Sequence, residues 1–200
     1  MSRFACLALG ITLLVGCSSE PSQPTAPFSV PVVTQGLHSP GGSSNANGGN
    51  FGTPLSGSEE VPANASTARG SAVFQLNADG TALTYKLIVA NIENVFMAHI
   101  HLGAPGANGG VVVWLYPSTA PGAGEAGQGR VDGVIAEGTI TADNLVGSLT
   151  GQPFSALLDA LRTSGAYVNV HTNDGIDPTN TGPGDLFGGE VRGQVEHRGH

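Results

Sequence analysis

Cysteine is nearly absent: the chain has 2, Cys6 and Cys17, both close to its start. No disulfide can staple the residues beyond them, so an exported domain here must hold itself together by its apolar core alone. Basic side chains are also scarce, with 7 Lys and Arg against 15 Asp and Glu for a net charge of −8. Beyond Arg3 they are scattered at Arg69, Lys86, Arg130, Arg162, Arg192 and Arg198. That excludes the clustered positive face by which proteins hold nucleic acid. No apolar run reaches the roughly 20 residues of a membrane-spanning helix. No Ser-His-Asp order, phosphate-cradling glycine loop or dinucleotide fingerprint can be read either. What is plentiful is glycine, 31 of 200 residues, while only 11% are charged, the balance of an exported β protein with many turns.

The N-terminus carries the sharpest local signal. Met1-Ser2-Arg3 is a short basic region, and Phe4 to Val15 is an apolar run of 12 residues, the length of a secretory h-region. It ends in Leu14-Val15-Gly16-Cys17, which is similar to the bacterial lipobox, where the cysteine thiol takes a diacylglycerol. The expectation is a lipoprotein signal peptide over residues 1–16 and a lipid-anchored Cys17. The protein would then be exported and held in the bacterial cell envelope, in the outer membrane or periplasm of a Gram-negative host. Its membrane contact would run through that lipid. Residues 17–53 are rich in Ser, Pro, Gly and Asn without apolar periodicity, and read as a disordered linker.

From residue 54 to 197 the pattern is that of one β domain. Arg69 to Asn77 alternates, with Ala72, Phe74 and Leu76 on one face. Thr81 to Ala90 alternates again, with Leu83, Tyr85, Leu87 and Val89 together. The Asp79-Gly80 turn between them predicts a hairpin. Further strands are expected at 95–102, 110–116, 133–141, 145–149, 166–172 and 190–196. Phe154, Leu157, Leu158 and Leu161, between Pro153 and Gly165, predict one short helix. The fold class is therefore all-β, a Greek-key β-sandwich or barrel with one short helix.

Three histidines hold the chemical interest. In 95–102 the apolar set is Phe96, Ala98, Ile100 and Leu102, which puts Met97, His99 and His101 on the opposite face. In 166–172 the inward Val168 and Val170 put Tyr167, Asn169 and His171 on the outer face. If the two strands are neighbours, His99, His101 and His171 converge and can give three nitrogens to a metal, copper or zinc by ligand type. The competing reading is that they hydrogen-bond loop backbone. Asn169, Glu190 and Arg192 are the candidates to support the imidazoles. Asp174, Asp177, Asp185 and Glu190 could offer oxygens to calcium, but their spacing is not that of an EF-hand loop. A protein or polysaccharide partner would meet the loops after Leu102 and Thr172, with Trp114 and Tyr116 as exposed aromatic candidates. His38, His197 and His200 are given no role.

Three ordered motifs resemble the CHRD domain named after chordin. They are Leu55-Ser56-Gly57-Ser58-Glu59-Glu60-Val61-Pro62, Ala98-His99-Ile100-His101-Leu102-Gly103 with Gly109-Gly110-Val111-Val112-Val113, and Ala166-Tyr167-Val168-Asn169-Val170-His171-Thr172 with Gly188-Gly189-Glu190-Val191-Arg192-Gly193-Gln194. The resemblance implies a β-sandwich module of exported proteins, acting by binding or as a structural part, with no general catalytic activity. The stretch Asn173 to Phe187 is longer than the family's usual link. The order and spacing of His99, His101 and His171 are also similar to the copper ligands of copper-zinc superoxide dismutases. That likeness implies a copper site and, as an alternative function, redox chemistry. Arg192 is similar to that family's substrate-guiding arginine, while its bridging histidine, zinc ligands and disulfide have no counterpart here.

Overall fold

A computed structural model describes residues 49–120 and 125–198. The expected signal peptide, Cys17, most of the expected linker, His38 and His200 lie outside the described residues.

The chain builds antiparallel strands in one sheet. They are β1 (Asn50–Ser56), β2 (Arg69–Leu76), β3 (Leu83–Glu93), β4 (Val95–Leu102), β5 (Val111–Tyr116), β6 (Arg130–Ile140), β7 (Ala166–Thr172), β8 (Val191–Gln194) and β9 (Glu196–Arg198). Their order across the sheet is β5-β4-β7-β8-β1-β2-β3-β6, with β9 also pairing β1. The two end strands come together without a ladder between them, and the Tyr85 hydroxyl of β3 donates across to the Leu115 carbonyl of β5 at 2.9 Å. The result is an all-β, nearly closed barrel. The first strand starts at Asn50, inside the stretch that composition alone assigns to linker.

The β2–β3 hairpin follows from its residues. Alternation puts Ala72, Phe74, Leu76, Leu83, Leu87 and Val89 inside, all buried. At the turn, the Asn77 side-chain oxygen accepts from the Thr81 and Ala82 amides at 2.9 and 3.0 Å. Gly80 takes φ +75°, a conformation that a β-carbon disfavours.

The helix α1 (Ser155–Arg162) lies where its apolar stripe predicts, and Leu157, Leu158 and Leu161 join the same core as the strands. Residues 145–149 do not form the expected strand. Gly147–Leu149 form a short 3-10 turn, and Leu145 and Val146 link it to a preceding one, Ala142–Asn144. Asn144 reaches back to accept from the Thr141 amide at 2.8 Å, and Gly147 sits at φ +59°, so local capping overrides a five-residue apolar pattern.

A second difference matters for the site. Between Val95 and Met97 the β4–β7 register shifts, so that Val95 faces Thr172 and Met97 faces His171. This β-bulge gives Phe96 no partner of its own and turns its ring out of the core, against His171 and Phe187 with ring centroids 6.4 and 4.9 Å away. Strict alternation places Phe96 with the core set, and Val95 takes that place instead.

Candidate metal centre

β4 and β7 are hydrogen-bonded neighbours, and their register sets the outer-face side chains in rows. One row runs Trp114, His99, Asn169, Arg192 across β5, β4, β7 and β8. The next runs His101, Tyr167, Gln194, and a third pairs Met97 with His171. Because residues two apart share a face, the three imidazoles fall on one patch. Ring centroids of His99 lie 4.5 Å from both His101 and His171, and His101 to His171 is 6.4 Å. One nitrogen from each ring falls within 4.8 Å of the other two. No other group of three His, Cys, Asp or Glu side chains comes together in this way among the described residues.

The patch is on the outside of the barrel yet is not a solvent face: His99, His101 and His171 are 2%, 8% and 5% exposed. Trp114 stands edge-on to His99 at 4.8 Å, Tyr167 stacks flat on His101 at 4.7 Å, and Phe96, itself packed on Phe187, stands edge-on to His171 at 6.4 Å. Phe187 belongs to the long segment after β7, so that segment forms part of the cover.

Hydrogen bonds fix two tautomers. His101 Nδ1 lies 2.8 Å from the Gly109 carbonyl, and His171 Nδ1 lies 2.8 Å from the Phe187 carbonyl. A carbonyl only accepts, so both Nδ1 atoms carry the proton and both Nε2 atoms keep a lone pair. Asn169 Oδ1 lies 2.9 Å from His171 Nε2; with the proton on Nδ1, the amide must turn over so that its NH2 donates to the Nε2 lone pair. His99 Nδ1 and His101 Nε2 are buried without any hydrogen-bond partner. Orphaned buried nitrogens of this kind are uncommon and ask for an occupant.

Burial keeps the rings neutral. It is the main cause that lowers the His99 pKa to about 2, with the His171 and His101 rings adding to it. His171 is lowered to about 4 and His101 is lowered too, again chiefly by burial. Asn169, the cross-strand neighbour of His99, opposes that lowering at the His99 and His101 rings, and the Gly109 carbonyl opposes it more strongly at His101. Neutral imidazole is the form that binds metal, so the three rings stand ready without first losing a proton.

Arg192 is 2% exposed, and its guanidinium lies 3.5 Å over the Tyr167 ring. It donates to Asn108 Oδ1 at 2.9 Å and to the Ala107 carbonyl at 2.8 Å. Tyr167 in turn accepts from the Gly109 amide at 3.1 Å. Arg192 and Tyr167 therefore hold the loop whose Gly109 carbonyl orients His101. A β-carbon at Gly109 would collide with the Leu102 carbonyl, so the loop can approach β4 only with glycine there. Glu190 faces away from the histidines, accepting from Ser66, Thr172 and the Gly184 amide at 2.6, 2.6 and 2.8 Å. Asp185 accepts from Thr181 at 2.9 and 2.7 Å, and Asp174 and Asp177 are exposed. Trp114 and Tyr116 are half-buried, the first against His99 and the second against the core.

Sequence reasoning missed Gly109 and Phe187 as supports, because they act through backbone carbonyls and residue type does not announce that. It also missed Glu60, which burial raises to a pKa of about 7 against the opposing pull of Arg192. The sign follows from the two states. Below about pH 4.5 Glu60 is protonated folded or unfolded and has no effect. Between about 4.5 and 7 the unfolded chain releases the proton first, so stability falls as pH rises, by about 3 kcal/mol at most. Glu60→Gln is expected to remove that slope. In urea unfolding the variant should gain on the wild type between pH 5 and pH 8, and a constant difference would contradict the argument.

An antiparallel β-barrel carrying a covered histidine patch on its outer face is the class that fold and site define. Residues 51–178 match the family model of the CHRD domain, well over half of the chain. The chain belongs to the CHRD domain family. No curated protein and no solved structure matches it.

Proposed function

We propose that this protein is an exported, lipid-anchored binding module of the cell envelope whose functional site is a three-histidine centre for copper or zinc. The observation that carries the metal reading is the pair of buried, partnerless nitrogens, His99 Nδ1 and His101 Nε2, beside His171 Nε2 in one dry patch. Three neutral imidazoles match the ligand preference of both ions and leave a further coordination position. The anchor rests on the N-terminal sequence, where Gly16-Cys17 closes an apolar run. CHRD membership supports a binding or structural role in general.

The metal reading is tested on the purified protein, made without an added polyhistidine tag and dialysed before elemental analysis. About one copper or zinc per chain supports the site, given three imidazole donors. No retained metal after loading with Cu(I), Cu(II) and Zn(II) overturns it. The anchor is tested apart from this. Cys17→Ser is expected to move the protein from the membrane fraction to the soluble fraction of a bacterial host. Wild-type protein whose N-terminus carries no lipid by mass spectrometry would refute the anchor.

A further inference from the structure

We propose that the Met97 thioether completes the three-histidine site as a fourth, soft ligand and that the site so built selects copper(I). This inference rests on the metal reading and adds to it the identity and oxidation state of the ion.

The placement follows from alternation along β4 and from the β4–β7 register. Met97 is paired across the ladder with His171 and precedes His99 by two residues, so it shares the outer face with all three imidazoles. Cross-strand partners hold their β-carbons about 5 Å apart, and a methionine side chain has three rotatable bonds with which to adapt. The chain's other methionine is Met1, which makes Met97 the single thioether in the domain. It is half-buried where the histidines are buried, so it stands at the margin by which an ion can reach them.

Charge then decides between ions. No carboxylate or thiolate joins the histidine group, so every ligand is neutral and an incoming ion keeps its full charge. The cost of holding an ion in a dry site grows with the square of its charge, so it is about four times greater for a divalent ion than for copper(I). The buried Arg192 guanidinium, one strand beyond Asn169 in the row that contains His99, adds a positive field that penalises the divalent ion further. A thioether beside imidazoles is also the softer donor set that copper(I) prefers and zinc does not.

The test titrates the purified protein anaerobically with Cu(I) delivered from its bicinchoninate complex, and separately with Cu(II) and Zn(II). Wild type should bind Cu(I) more tightly than either divalent ion. Met97→Leu, which roughly conserves volume, should weaken Cu(I) by about tenfold or more and leave Cu(II) within about threefold. X-ray absorption at the copper edge of the wild-type complex should show a sulfur neighbour besides nitrogen. A wild-type complex without sulfur, an equal loss for both oxidation states, or tighter Zn(II) than Cu(I) would overturn the proposal. If binding is lost in His101→Ala but indifferent to Met97→Leu, the three-histidine site stands and the Met97 assignment falls. If wild type binds none of the three ions, both fall together.

Discussion

His99→Ala, His101→Ala and His171→Ala should each weaken metal binding by about tenfold at the least, since even residues behind a ligand change affinity by about 10–100-fold. The three are not equivalent in the metal-free protein. His101 and His171 each donate through Nδ1 to a loop carbonyl, whereas His99 Nδ1 has no partner. Removing His101 or His171 should therefore also cost about 1 kcal/mol or more of stability through the lost hydrogen bond. His99→Ala loses packing against Trp114 but no hydrogen bond from its Nδ1. Titration of folded variants, with denaturant unfolding run in parallel, separates loss of a ligand from loss of fold. An imidazole whose removal leaves affinity unchanged does not belong to the site.

Arg192→Leu should destabilise the fold more than the loss of either imidazole hydrogen bond, by about 3 kcal/mol. Its guanidinium is buried, donates to Asn108 and Ala107, and covers Tyr167. Hydrogen bonds from a charged group contribute about 1.5–3 kcal/mol each, and the cation–π contact adds up to about 2 kcal/mol when dry. Against these gains stands the cost of burying the charge, which leucine does not carry, so the net loss is smaller than the sum. The lowered denaturant midpoint should come with an unchanged m-value. The same substitution frees the loop that carries Gly109, so it should weaken metal binding without removing a ligand. Tyr167→Phe isolates that effect: it keeps the ring under Arg192 and removes only the oxygen that accepts from the Gly109 amide. A stable Arg192→Leu protein with wild-type affinity would show that the loop holds its place without the guanidinium.

Much of this architecture is written in period-two alternation. β4 and β7 begin and end where alternation puts them, and their outer faces carry His99, His101 and His171 as it requires. Two elements escaped because alternation is blind to what breaks it. The bulge at Phe96 adds a residue to one strand only, and nothing in the composition of 95–102 marks it. Residues 145–149 have the right polarity for a strand, but a glycine at positive φ and an asparagine cap favour turns. The burial of the histidines was also illegible. Periodicity says which face a side chain takes, and only tertiary packing says whether another segment lies over it. Phe96, Tyr167 and Trp114 supply that cover from three different strands.

Phe187 lies on a segment outside the strands; its carbonyl accepts from His171 Nδ1, and its ring packs on Phe96, which stands against His171. An aromatic roof of this kind acts as a size filter. With the imidazoles less than a tenth exposed, a peptide or sugar can touch only their cover. It also sets a clock. If an ion binds there, its residence time follows the opening of this cover as much as the strength of the nitrogen bonds.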